Sequence, residues 1–243
     1  GVQLDAKLSV EQKIKDKVYT FSEINCPICK HDSDSYLTQK DRYGLAFSVK
    51  VCNSCGLVYT SPRMTQESFF EFYDNEYRRL YGGEDGATER FFQQQYNHGR
   101  QIIGYLEKHK LYPENKNVTV LEIGCGAGGI LKAFKERGHK VVGYDLGSEY
   151  VDFGKSNHKL DLRVGLLANF MGDKPDVIIY SHVMEHILDL SSELQLIKEN
   201  CHQDTLVYIE IPGIKNLNGV YEMNLLRYFQ NAHTFHFSLD TLY

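Results

Sequence analysis

Apolar residues recur along this chain with two different periods, and the period changes near residue 118. Before that point the spacings are helical. Val10, Ile14 and Val18 fall on one face of a helix predicted over 8–19. Phe69, Phe70, Phe72, Tyr73, Tyr77 and Tyr81 predict a second helix over 65–81, which Gly82-Gly83-Glu84-Asp85-Gly86 breaks. A third helix is expected over about 88–110, before Pro113. From Val118 onward, short apolar runs at 118–123, 140–145, 161–164, 176–180 and 206–211 read as strands, separated by helical segments at 128–137, 148–156 and 190–201. Such alternation predicts an α/β protein with a doubly wound, mostly parallel sheet. Five strands can be counted before Tyr243, and Ser238 is placed to cap a helix opening at Leu239. The C-terminal strands are therefore expected to be truncated.

The first of these strands runs straight into Glu122-Ile123-Gly124-Cys125-Gly126-Ala127-Gly128. Glycines at alternate positions let the backbone turn tightly and approach a ligand where side chains would collide. Ligands of open α/β sheets sit at such strand ends. Gly124-x-Gly126-x-x-Gly129 also satisfies the dinucleotide fingerprint, which alone is a weak signal. Glu122 separates the two readings. A carboxylate before the first glycine faces a pyrophosphate unfavourably but suits a cofactor with a cationic amino-acid end. Twenty-one residues after Gly124, Lys140 to Asp145 reads as a strand ending in an acid, and Asp145 is placed to hold ribose hydroxyls in either cofactor class.

Six cysteines are present, and four form two pairs, Cys26-x-x-Cys29 and Cys52-x-x-Cys55, with 22 residues between them. Two such knuckles can close a tetrahedral thiolate site around zinc. Four thiolates leave no open position, so this zinc is expected to hold structure. A module of this size cannot bury a core, and metal binding would supply its folding free energy. The expected organisation is an N-terminal helix and zinc ribbon over 1–62, a helical linker or lid over 63–112, and a ligand-binding domain over 113–243.

Composition narrows the partners. A net charge of −5 gives no basic excess for nucleic acid, so a small-molecule substrate is favoured. No apolar run approaches the length needed to span a bilayer, and residues 1–17 lack the apolar segment of an export signal, so the cytoplasm is the expected location. Histidine is the side chain best poised to move a proton near neutral pH. Ser181-His182-Val183-Met184-Glu185-His186 follows the fourth strand, and in a helix His182, Glu185 and His186 would share one face. The same residues match the inverted zinc-peptidase signature. His233 and His236, in Ala232-His233-Thr234-Phe235-His236, are further candidate bases. Tyr73 and Tyr77 are read either as helix packing or as part of a lid.

The Glu-x-Gly-x-Gly-x-Gly motif resembles the first motif of class I S-adenosylmethionine (SAM) methyltransferases. Together with the two Cys-x-x-Cys pairs, Gly56-Leu57-Val58-Tyr59-Thr60-Ser61-Pro62-Arg63, Phe72-Tyr73-Asp74-Asn75-Glu76-Tyr77 and Ser181 to Ile187, the chain is similar to bacterial zinc-ribbon-bearing methyltransferases of sugar, polysaccharide and natural-product pathways. The resemblance implies SAM contacts by Glu122, Gly124, Gly126, Gly128, Asp145 and Leu146, adenine packing at Gly165, Leu166 and Leu167, and further contact at Ser181 and His182. It implies a catalytic role among His182, His233, Glu185, His186, Tyr73 and Tyr77, and an acceptor containing a sugar. The relatives that methylate carbon carry Tyr-x-Glu-His where this chain has Gln230-Asn231-Ala232-His233, so O-methylation assisted by His233 or His182 fits as well. A SAM-binding module without catalysis, and an RNA methyltransferase that grips its substrate with the ribbon, are the alternatives.

Overall fold

Five short strands, the inner three of them largely buried, lie side by side and all parallel at the centre of the second half of the chain. The computed structural model describes residues 1–83, 86–113, 117–214, 219, 221–222 and 224–241; Glu84 and Asp85 of the predicted helix break lie outside them. Contacts divide the chain into two units. One comprises Gly1–Asp85, Met184–Leu190 and Ile211–Tyr243, and the other Gly86–Val183 and Ser191–Glu210.

The first unit opens with helix α1 (Val2–Lys15), which buries Ala6 and Val10. The helix begins earlier than its apolar spacing predicts and ends sooner, because Lys17 takes a left-handed conformation; Val18 is left 47% exposed instead of extending the buried face. Strands β1 (Phe21–Ser22), β2 (Asp34–Lys40), β3 (Ala46–Cys52), β4 (Val58–Thr60) and β5 (Arg63–Met64) follow, with β2, β3 and β4 in one antiparallel sheet and β1 paired to β5. Helix α2 (Gln66–Phe72) then passes through a π-helical turn, Tyr73–Tyr77, into one more α turn at Arg78–Tyr81. Glu76 on that turn is buried and takes a hydrogen bond from the Tyr19 hydroxyl and an ion pair from Lys13 Nζ at 2.9 Å. A buried carboxylate so partnered avoids the desolvation cost of an isolated one.

In the second unit, helix α3 (Glu89–Lys108) is capped by Thr88, whose hydroxyl accepts the Phe91 amide at 3.2 Å. Its face of Phe92, Ile102, Ile103 and Leu106 joins the core formed by strand β6 (Thr119–Ile123), helix α4 (Gly129–Glu136), strand β7 (Lys140–Asp145), helix α5 (Ser148–His158) and strand β8 (Leu162–Val164). Strand β9 (Val177–Ser181), helix α6 (Leu190–Asn200) and strand β10 (Leu206–Glu210) complete it. The sheet order is β10-β9-β6-β7-β8. The chain therefore steps outward from β6 on one side, returns and steps outward on the other, which leaves a switch point between β6 and β9 at the carboxyl edge. This is the doubly wound α/β architecture expected from the alternation.

The units do not follow the boundaries read from the sequence. The predicted linker 63–112 is shared out: α2 and the turns after it pack with Tyr19, Leu45 and Met64 in the first unit, and α3 packs on the parallel sheet of the second. Past Glu210 none of the described residues belongs to the parallel sheet. Strand β11 (Phe235–His236) pairs antiparallel with β4, Phe235 opposite Tyr59 and His236 opposite Val58, and so occupies what would be an open strand edge. Residues 239–241 form a single 3₁₀ turn rather than the start of an α-helix.

Candidate functional site

Strand β6 ends in a loop whose alternate residues Gly124, Gly126 and Gly128 all take positive φ, at 71°, 54° and 80°. Side chains are excluded there twice over, by conformation and by space. A Cβ on Gly124 would stand 2.3 Å from Val183 Cγ2 and one on Gly126 2.8 Å from Gln95 Nε2. Gln95, on α3, staples the loop from outside: its amide donates to the Cys125 carbonyl at 3.0 Å and accepts the Ala127 N–H at 3.2 Å. No motif in the sequence singled out Gln95, because it lies on a helix remote in the chain.

At the end of β7, the Asp145 carboxylate accepts the Gly126 amide at 2.8 Å and the Gly147 amide at 2.7 Å. The two bonds fix an acid against the glycine loop. Leu146 is partly exposed beside it. Gly165 donates its amide to the Asp145 carbonyl at 3.0 Å, Leu166 is 37% exposed, and Leu167 is fully buried.

Glu122 is 1% exposed, and its Oε2 has no hydrogen-bond partner among the described residues. Burial first, and the Asp145 charge second, push its pKa well above the usual carboxylate range. Such a carboxyl costs stability while it waits for a cation.

The carboxyl edge carries a third group. Ser181 closes β9, and His182 follows with φ 57° and its amide bonded to the Glu210 carbonyl at 2.8 Å. Glu210 closes the neighbouring β10. Its Oε2 meets His98 Nε2 at 2.8 Å and its Oε1 lies 3.8 Å from His182 Nε2, while the Ser181 hydroxyl reaches both His98 and Glu210 at 3.3 Å. His182 remains half exposed. His98 comes from α3, where it looks like one more polar residue on an amphipathic helix.

The left-handed residue at His182 overturns the helical reading of Ser181 to His186. Only Met184–His186 form a 3₁₀ turn, and that turn belongs to the first unit. His182, Glu185 and His186 therefore do not share a face. Among the described residues, the metal-ligating atoms group instead as His98, His182 and Glu210, and as Glu185, His186 and His233, so the inverted zinc-peptidase arrangement is absent.

The first unit thus brings together five of the six candidates named for catalysis. Tyr73 and Tyr77 stack with centroids 4.3 Å apart, both rings stand edge-on to His186 at 5.9 and 5.6 Å, and His186 meets the His233 ring at 4.7 Å. Glu185 is buried beside them. His236 is not available as a base: it is 1% exposed, and burial pushes its pKa down to about 3. In the same unit the Sγ atoms of Cys26, Cys29, Cys52 and Cys55 all lie within 4.8 Å of one another, with Cys26–Cys55 at 3.5 Å and Cys29–Cys52 at 3.4 Å. The His31 backbone amide, more than any other contact, holds the Cys29 thiol down to about 6, while burial pushes Cys26 up to about 12.

Residues 90–243 match the family described as methyltransferase domain. The chain is 27% identical over 105 residues to a ubiquinone biosynthesis O-methyltransferase of Nitrosospira multiformis, covering 40% of this chain and 43% of that protein. It is 34% identical over 83 residues to one of Bartonella tribocorum, covering 31% and 33%. The chain thus spans under half the length of these curated relatives. Among solved structures, magnesium protoporphyrin IX methyltransferase of Synechocystis PCC 6803 with bound SAH matches with a TM-score of 0.50 and 15% identity, over 73% of this chain and 85% of that one. That likeness is one of fold.

The strained carboxyl makes a measurable prediction. Because the folded pKa of Glu122 is raised above 4.5, the stability it contributes is present below the unfolded value and is lost as pH rises from there toward the folded value. Glu122→Gln should therefore stabilise the protein at neutral pH and flatten its stability profile above pH 4.5. Thermal unfolding across pH 4–8 checks this; a Gln variant less stable than wild type at neutral pH would contradict the burial argument.

Proposed function

This chain belongs to the methyltransferase-domain family, and from that premise we propose that its second unit binds SAM and promotes methyl transfer to a small acceptor. The observation that carries the proposal is the conjunction of a left-handed glycine loop, the Asp145 carboxylate fixed by two amides and the buried Glu122 with a vacant lone pair. These features fit the cofactor chemically. The loop amides and missing Cβ atoms admit close approach, Asp145 accepts from ribose hydroxyls, and the negative surroundings of Glu122 suit an ammonium or sulfonium. A dinucleotide pyrophosphate would meet repulsion at the same place.

SAM supplies an electrophilic methyl carbon. The protein's own task is to hold an acceptor in line and to take one proton. His182 is the proposed base: it is exposed, it follows the strand beside β6, and Glu210 stands ready to stabilise its charged form. His98 shares Glu210 and is proposed to position it. We further propose that the four cysteines hold a structural zinc, since a tetrahedral ion with sulfur at about 2.3 Å needs sulfurs about 3.8 Å apart, close to the observed 3.4 and 3.5 Å. The acceptor is proposed to be a hydroxyl-bearing small molecule. Its sugar character rests on the sequence motifs, whereas the curated relatives are named as O-methyltransferases of ubiquinone biosynthesis.

Binding tests the cofactor first. Calorimetry should show SAM or SAH binding and negligible NAD binding, with Asp145→Ala weakening SAH by about 1.5–3 kcal/mol through lost hydrogen bonds. NAD binding without SAH binding would sink the proposal.

Turnover tests the base. With sugar and phenolic acceptors assayed in parallel by SAH release, His182→Ala should lower turnover by about 10²–10⁴-fold on whichever acceptor reacts, and also weaken SAM binding. Wild-type turnover in that variant would leave alignment alone as the source of rate.

Metal content tests the ribbon. Cys26→Ser should release the thiolate-bound zinc and increase hydrogen exchange across residues 22–62, while SAH binding persists. Absence of thiolate-bound zinc from the wild-type protein would refute the closed site.

A further inference from the structure

Glycine enters left-handed and extended backbone about equally, so a loop built on Gly124, Gly126 and Gly128 keeps one conformation only if something outside it holds it there. Two side chains do so. The Asp145 carboxylate takes the Gly126 amide at 2.8 Å. The Gln95 carboxamide takes the residues on either side: its Nε2 donates to the Cys125 carbonyl at 3.0 Å, and its Oε1 accepts the Ala127 amide at 3.2 Å and the Gly129 amide at 3.5 Å.

His98 follows Gln95 by three positions, so both side chains leave the same face of α3. The His98 Nε2 meets Glu210 Oε2 at 2.8 Å and the Ser181 hydroxyl at 3.3 Å, at the ends of β10 and β9. The same carboxylate oxygen accepts the Tyr208 hydroxyl at 3.3 Å. One turn of α3 thus grips the glycine loop with one side chain and the Glu210 carboxylate with the next.

The depth of that turn is set by α4. A Cβ on Gly129 would stand 2.4 Å from the Phe92 carbonyl oxygen and 2.5 Å from Gln95 Cβ, and a Cβ on Gly99 would stand 2.7 Å from Ile130 Cα. Helix spacing follows the side chains at the contact, and here glycine on each helix lets backbone meet backbone. Such a contact has no flexible side chain to yield, so a change at Gly99 moves the whole helix and both of its grips.

Building on the SAM reading of the loop, we propose that Gln95 is a positioning residue for the cofactor, and that α3, seated on α4 through Gly99 and Gly129, holds the glycine loop and the Glu210 carboxylate as one part. A loop already held in its binding conformation binds at its intrinsic affinity, whereas a loop that visits that conformation part of the time loses affinity in proportion. The staple therefore acts before the cofactor arrives.

Amide-resolved hydrogen exchange of the unliganded intact chain, combined with SAH calorimetry, tests this. Gln95→Met keeps the side-chain length and removes its hydrogen bonds. It should speed exchange of the Ala127 amide and weaken SAH binding, each by about tenfold, while the amides of β6 and β9 keep their protection and show that the sheet is intact. Gly99→Ala adds one methyl outside the loop, yet should bring the same two changes. The double variant should lose little more affinity than the weaker single variant, because both act through one contact. His98→Leu should also speed Ala127 exchange, by a smaller factor, although it touches no residue of the loop.

Wild-type Ala127 exchange and SAH affinity in Gln95→Met would overturn the proposal, and unchanged Ala127 exchange in His98→Leu would overturn the coupling of the two grips. Losses that multiply in the double variant, or protection lost across β6 and β9 in step with Ala127, would reduce α3 to general support and overturn it too. Wild-type protein that binds no SAH overturns the cofactor reading and this inference with it; the Ala127 exchange, which needs no cofactor, tells that failure from loss of the α3 contact alone.

Discussion

Two acidic side chains on adjacent parallel strands, Glu122 and Asp145, are held almost out of water behind a loop that only glycine can form. Close packing around them keeps them there. The β6–β7 register sets Glu122 opposite Gly143, where a Cβ would stand 2.7 Å from Cys125 Sγ, so the strand beside the carboxyl is itself thinned to make room. Gln95 reaches from α3 to hold the loop, and Gly99 on the same helix lets α3 approach α4 so closely that a Cβ would fall 2.7 Å from the Ile130 Cα. Burial, and then the Asp145 charge, raise the cost of ionising Glu122. A protein tolerates such a pair where a cationic ligand recovers the energy, which is the usual relation between a strained site and its function.

The first unit solves a different problem. Its strands are short, and its cysteine cluster sits in a small core with Leu57, Tyr59, Phe235 and Phe237. The C-terminal segment supplies part of that core and a strand edge as well. The same segment carries His233 and Thr234, so one pairing, β11 on β4, both closes the sheet and brings an imidazole up to Glu185 and His186. The π-helical turn has an analogous double use: the extra residue it accommodates coincides with the stacked Tyr73 and Tyr77 against His186 and with the buried Glu76.

The parallel sheet was legible in the sequence almost strand by strand, since buried strands of an α/β sheet read as continuous apolar runs and the helices between them keep their own period. The glycine loop, its two acids and the paired cysteines were legible for a related reason: each is a local requirement of backbone conformation or donor type, written in a few consecutive residues. Helix ends were less so. Val18 continues the apolar spacing of α1, yet a left-handed Lys17 puts it outside.

What only the tertiary structure decided is which distant residues meet. Ser181 to His186 looks like one motif, but a single left-handed residue at His182 turns its two halves to different tasks, one beside Glu210 and His98, the other beside His233 and the tyrosines. Gln95 and His98 carry no signal in an amphipathic helix, and nothing in the sequence announces that Phe235 and His236 pair with β4. Local chemistry fixes strands, turns and thiolate knuckles because their energies are settled within a few residues. Long-range partnerships are chosen by burial and by the need to satisfy every strand edge and buried polar atom, and these conditions exist only once the chain has folded.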